Sequence, residues 1–165
     1  MRNNWGCELK STYRTECFEL DLDDTWRRIE EEGGKPDELA FFNDSLSTRL
    51  FISGDRINAE GRDLLELTVQ MNAHALGGIA AMMEEIGGSL RRDDPRFMPT
   101  PPGFDVAMTA EITGPPDVAH QMLLVTIMNP WVAIYARLQS SSRNRLDLLE
   151  DWSKLRPDLF LAQAV

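Results

Sequence analysis

The sequence is short of the residues that carry polar chemistry. Its 165 residues include two histidines and two cysteines. Cys7 and Cys17 stand ten apart with no CxxC spacing and no histidine nearby to complete a zinc site, so they read as ordinary thiols. His74 sits between Ala73 and Ala75 without an HExxH partner, and His120 opens an apolar run; both read as structural histidines rather than ligands. No GxSxG, GxGxxG or Walker loop occurs, since Gly77-Gly78 and Gly87-Gly88 have the wrong spacing. Accordingly no catalytic residue, no metal ligand and no cofactor-binding residue is assigned, and no cofactor is expected.

Positive charge is scarce as well. Lys and Arg number 17 against 27 Asp and Glu, a formal net charge of −10. Phosphate-backbone binding rests on clustered cations that release counterions, so nucleic acid is an unexpected partner, and an anionic membrane surface is disfavoured in the same way. Two local groups, Arg91-Arg92 with Arg96 and Arg137 with Arg143 and Arg145, read as solvated surface. The acidic excess suits a basic partner or one with an exposed hydrophobic segment. Residues 1–10 lack the apolar core of a secretory leader, and no later run approaches a membrane span, so the expected location is cytoplasmic.

What the chain does contain is an ordinary globular composition, 42% hydrophobic and 27% charged, at the size of one domain. The expectation is a single domain over 1–165, with residues 1–12 as a flexible N-terminal segment. Apolar and polar residues alternate from Tyr13 to Leu22, the mark of a half-buried strand, and Trp26 to Glu32 reads as a short helical turn ended by Gly33-Gly34. Glu38–Phe42 and Arg49–Ser53 flank the turn-forming Asn43-Asp44-Ser45 as a β-hairpin. A long helix follows from Ala59 to Ile86, capped by Asn58 or Asp55, with an inward stripe of Leu65, Val69, Asn72, Leu76, Ile79, Met83 and Ile86. Gly77-Gly78 inside it requires either a close neighbour or a break. Met71, Met82 and Met83 read as adaptable core filling.

The stretch Arg91 to Gly103, with Pro95, Pro99, Pro101 and Pro102, reads as a long irregular surface loop. Then Phe104–Thr113, Gln121–Met128 and Trp131–Leu138, separated by Gly114-Pro115-Pro116-Asp117 and Asn129-Pro130, form a three-stranded antiparallel meander. A last helix runs from Arg143 to Arg156, capped from Ser140–Ser142, with Leu146, Leu149 and Leu155 inward. The fold class is therefore α+β: an antiparallel sheet with a C-terminal meander, packed by one long central helix and a C-terminal helix.

Two patterns bear on function. Asp21-Leu22-Asp23-Asp24-Thr25 after a strand resembles the first motif of haloacid dehalogenase-like phosphatases, and Leu50–Asp55 echoes that family's late metal-binding strand end. The resemblance implies Asp21 as nucleophile and Asp23 as proton donor, with Mg²⁺. Against it, Glu16 and Glu19 interrupt a strand that a parallel sheet would bury on both faces, and about thirty residues between the two echoes leave no room for the intervening units. The second pattern is the apolar strand at 122–128. Leu123, Val125 and Ile127, with Ala133, Tyr135 and Arg137 of the neighbouring strand, are the candidate partner-binding sheet face. The alternative is that each helix covers one face.

The order of elements, carried by Phe18-Glu19-Leu20 leading to Trp26, the hairpin through Phe41 and Phe51, the helix from Arg62, and His120 to Leu138 with its closing helix, resembles the PsbP/DcrB-like α/β sandwich over nearly the whole chain. That resemblance implies non-enzymatic work: accessory subunits, small-GTPase-binding factors, and chaperones adjoining effectors of bacterial type VI secretion, which hold hydrophobic segments on a sheet surface. The expected function is then a cytoplasmic protein-binding domain, an effector-associated chaperone or a toxin-neutralising immunity protein, with a homodimer as a further use of an open face. A haloacid dehalogenase-type phosphatase and a small-ligand carrier with a pocket between helix and sheet are the alternatives.

Overall fold

A computed structural model describes residues 10–30, 38–87, 91–92, 96–113 and 121–162. The strands are β1 (Lys10–Arg14), β2 (Phe18–Asp23), β3 (Trp26–Ile29), β4 (Glu38–Asn43), β5 (Thr48–Arg56), β6 (Arg91–Arg92), β7 (Arg96–Phe97), β8 (Val106–Thr113), β9 (Gln121–Met128), β10 (Val132–Ser140) and β11 (Leu159–Leu161). The helices are α1 (Leu64–Gly87) and α2 (Arg145–Leu155). The main sheet runs β3-β4-β5-β10-β9-β8-β6, with β7 also on β8; a smaller sheet runs β1-β2-β11. Every strand pair among the described residues is antiparallel. The expected α+β class, meander and two helices are all present.

Burial explains why β9 is apolar on both sides. One face of β8 and β9 meets α1, where Leu76 packs with Ala110, Ile112, Met122 and Leu124. The opposite face carries Leu123, Val125, Ile127, Ile134, Ala136 and Leu138 into the main core, closed by Leu148, Trp152 and Leu155 of α2 and by Phe18, Leu20, Leu22 and Leu159 of the small sheet. Tyr13 of β1 reaches Phe41 of β4 edge-on, ring centroids 4.8 Å apart. Gly54 of β5 lies tight against the β1–β2 turn: a Cβ there would lie 2.7 Å from Cys17 Cβ.

Several local expectations give way to tertiary context. The strand expected from Tyr13 to Leu22 is a hairpin of β1 and β2, because the Thr15 hydroxyl accepts from the N–H groups of Cys17 and Phe18 and turns the chain. The helical turn expected from Trp26 is strand β3: the Asp23 carboxylate takes the Thr25 N–H, and the chain then pairs with β4. Residues 57–59 dock on the β9–β10 turn through Ile57 N–H to Trp131 O and Ala59 N–H to Pro130 O, so α1 starts later than expected and is capped by Asp63, not Asn58 or Asp55. The 91–103 segment is not wholly irregular, since β6 and β7 add to the edge of β8. Helix α2 begins after Asn144, which forms a capping box with Asp147; Ser140 belongs to β10. That shift turns Leu146 outward and Leu148 and Trp152 inward. The strand β11, pairing with β2, was not anticipated.

Helix α1 is continuous through Gly77-Gly78, and a Cβ at either position would meet nothing within 4 Å. The glycine pair therefore serves no close approach. Gly78→Ala is expected to raise unfolding free energy by about 1 kcal/mol, the ordinary helix-interior difference, and the melting temperature by about 2–4 °C. A thermal melt showing no gain would mean that the helix is not formed at that point in solution.

Candidate functional site

The six sheet residues singled out from the sequence do not share a face. In the β9–β10 ladder Ala133 pairs with Met128, Tyr135 with Thr126 and Arg137 with Leu124, while Leu123, Val125 and Ile127 pair with Leu138, Ala136 and Ile134. Directly paired residues project the same way. Leu123, Val125 and Ile127 are thus sealed in the main core, and Ala133, Tyr135 and Arg137 look out on the α1 side.

On that outer side two cross-strand rows lie beside α1. One row is Glu38, Ser53, Tyr135 and Thr126; the next is Ala40, Phe51, Arg137 and Leu124. The Arg137 guanidinium lies over the Phe51 ring, 4.2 Å from its centroid. With Ala75 and Ile79 of α1 these rows enclose a cavity of about 140 Å³. Burial raises the Tyr135 phenol above its ordinary range, with a further push from Asp55, so it stays a neutral donor. At the cavity's border Asn72, fully buried on α1, donates to Thr126 Oγ1 at 3.0 Å, and its Oδ1 has no hydrogen-bond partner among the described residues.

The exposed side of α1 departs from the expected stripe. Asn72 and Leu76 of that stripe are buried, but so is Thr68, which was not part of it, whereas Leu65 is 54% and Val69 43% exposed. Phe97, 55% exposed, pairs with Met108 at the β8 edge and projects to the same side of the sheet as α1. Large apolar groups therefore stand in solvent on the helix and on the adjoining edge.

Asp21 and Asp23 line a different feature, a cleft of about 420 Å³ shared with Lys10, Thr25, Asp151, Lys154 and Asp158. Asp21 accepts from Thr12 Oγ1 at 2.6 Å, and Asp23 from Thr25. They lie within β2, which has antiparallel neighbours on both sides, β1 and β11, so the parallel-sheet setting that the phosphatase resemblance requires is not the one this chain builds. No group of metal-holding side chains occurs among the described residues. His74 is exposed on α1, and Met71 is half-buried there. Cys7 and His120, the Gly114–Asp117 turn, and the side chains of Met82, Met83, Ile86, Arg91 and Arg92 lie outside what is described. Arg143 and Arg145 are not solvated surface: the first hydrogen-bonds Asp151 and the second lies 3.5 Å from Glu111, both carboxylates being buried.

An antiparallel sheet with a helix on either side and a second small sheet defines the architectural class. The particular fold is PsbP-like: the chain is similar to the cyanobacterial PsbP protein (CyanoP) of Synechocystis sp. PCC 6803, with a TM-score of 0.66 and 13% identity over 98% of each chain. Weaker similarities are to a Bacteroides thetaiotaomicron protein (TM-score 0.43, 10% identity, 88% of this chain and 45% of that one) and to a Pseudomonas aeruginosa protein of unknown function (TM-score 0.42, 12% identity, 94% and 99%). No family profile and no curated protein sequence matches. Among the described residues no helix is long and apolar enough to cross a membrane.

Proposed function

We propose that this chain is a protein-binding domain that works by surface complementarity rather than by a chemical step, with the apolar side of α1 and the β7 edge as its contact surface. The observation behind this reading is the N-terminal half of α1: a helix that buries Thr68 there and leaves Leu65 and Val69 in solvent has apolar area to cover. The partner would bring an apolar segment carrying basic residues, given the net charge of −10 and the acidic Asp63 and Glu66 beside the patch. Within this reading the two roles are a cytoplasmic chaperone for an effector of bacterial type VI secretion and an immunity protein that covers a toxin. The PsbP-like architecture accommodates either one, and neither needs a cofactor, nucleic acid or membrane.

The test is co-expression with the product of the neighbouring gene, followed by calorimetric titration. Leu65→Asp with Val69→Asp is expected to weaken binding roughly tenfold or more, the scale of a lost apolar hot spot, while the circular dichroism spectrum stays the same. Equal affinity in the variant would remove this surface from the account.

A second reading, a small-ligand carrier, is favoured by the cavity between α1 and the sheet.

A further inference from the structure

We infer that the exposed Trp131 and Phe160 rings are platforms for a carbohydrate, and that the two grooves beside them bind a neutral, extended oligosaccharide. The inference goes beyond the protein-binding reading and uses none of the residues of the α1 surface. Three observations carry it.

The first is the pair of rings left uncovered. Trp131 is 51% and Phe160 37% exposed. Each lines a groove, of about 710 Å³ at Trp131 and about 480 Å³ at Phe160, and both lie in the range of roughly 300–1,000 Å³ that ligand clefts span. The grooves share Arg14, Glu19 and Leu161 as lining, so they adjoin. In the small sheet Phe160 stands opposite Glu19, and Glu19 opposite Arg14, which places all three in one cross-strand row. A single exposed ring is ordinary; two on adjoining grooves make a surface long enough for a chain molecule.

The second is how firmly the larger platform is mounted. The backbone N–H groups of Trp131 and Val132 both donate to Asn129 Oδ1 at 2.8 Å, and Trp131 O accepts from Ile57 N–H at 2.9 Å. Asn129 is itself tied through its NH₂ group to Gly103 O at 3.2 Å. The indole therefore rises from a fixed backbone, and little ordering is left to the binding step.

The third is the balance of the polar groups around the rings. Arg14 and Arg56 stand against Glu16 and Glu19 in the Trp131 groove, and Arg14 Nε already lies 3.2 Å from Glu19 Oε1. An anion would meet two carboxylates here and a cation two guanidiniums, so neither sign is favoured. A purely apolar segment would strip water from all four. What these groups still offer is hydrogen bonding, through guanidinium N–H donors and the remaining carboxylate lone pairs. A sugar hydroxyl is donor and acceptor at once and answers either kind, while the C–H face of a pyranose ring is apolar and lies flat on an aromatic side chain.

The test uses the full chain and three oligomers of one length: cellotetraose and tetra-N-acetylchitotetraose, which are neutral with flat ring faces, and tetragalacturonate, which is anionic. Titration calorimetry is expected to show saturable binding of at least one neutral oligomer and a weaker response to tetragalacturonate. Trp131→Ala is expected to weaken the neutral oligomer roughly tenfold or more, the scale of a lost aromatic anchor, and Phe160→Ala roughly threefold or more. Trp131→Phe keeps a ring in place and is expected to retain most of the affinity. Both side chains are partly in solvent, so circular dichroism should report an unchanged fold in each variant. No saturable signal from either neutral oligomer up to about 10 mM, tetragalacturonate binding as tightly, or equal affinity in Trp131→Ala would overturn the proposal.

Discussion

Removal of the Arg143 guanidinium, as in Arg143→Met, is expected to cost about 3 kcal/mol of stability at neutral pH, the scale of a buried carboxylate stripped of its partner. Asp151 on α2 is only 4% exposed, and its carboxylate hydrogen-bonds Arg143, whose own side chain is mostly covered. Burial pushes the Asp151 carboxyl above its ordinary range, and Arg143 opposes that push by hydrogen bond and by charge. A raised folded-state value means that folding gains from protonation: the contribution is complete below the ordinary carboxylate range and is lost as pH rises through the raised one. Without Arg143 the carboxyl rises further, so the loss grows at neutral pH and shrinks on acidification. Urea unfolding at neutral and acid pH reads both effects. A loss of the same size at both pH values would show that Arg143 acts by packing alone.

The second large effect is at Gly54. Gly54→Ala is expected to cost about 2–3 kcal/mol, at the upper end of ordinary overpacking, because the new methyl would lie 2.7 Å from Cys17 Cβ and 3.0 Å from Ile134 Cδ1. These contacts sit where the β1–β2 turn presses on the main sheet, and the nearest one is to Cys17 Cβ, which cannot swing aside as the far end of a flexible side chain could. In a double-mutant cycle, Cys17→Gly removes the nearest obstacle and is expected to couple to Gly54→Ala by about 1 kcal/mol or more. Strict additivity in urea unfolding would refute the steric explanation.

Most of the architecture was legible. The meander could be read because Val106, Met108, Ala110 and Ile112 alternate strictly and the Gly114-Pro115 and Asn129-Pro130 pairs punctuate it, and the 38–56 hairpin for the same kind of reason. What stayed hidden did not follow local apolar periodicity. Asn72 and Leu76 face inward as the periodicity has it, but the first turns of α1 do not follow the apolar pattern: Thr68 is buried there, its hydroxyl bonded to Leu64 O, while Leu65 and Val69 stand in solvent. Two-residue strands such as β6 and β7 have no period to read. The phase of α2 followed from Asn144 as its cap, and a cap shifted to Ser140–Ser142 moved the expected inward face off Leu148 and Trp152.

The candidate site was half visible for a related reason. Alternation within one strand shows that Tyr135 and Arg137 share a side, but only the ladder shows that they belong with Leu124 and Thr126 rather than with Leu123 and Val125. The cavity also needs Glu38, Phe51 and Ser53 from the other half of the chain. No local signal connects those residues to α1.

The β2–β11 pairing sets a timetable for synthesis. Leu20 emerges from the ribosome early, yet its ladder partner Leu159 is made 139 residues later, several seconds or more at usual elongation speeds. Until then Phe18, Leu20 and Leu22 have β1 beside them but lack both α2 and the third strand, so the nascent chain exposes one side of its small sheet. A chain stalled before residue 159 would be recognised by holding factors, whereas release past 161 lets the sheet shut in a single late event.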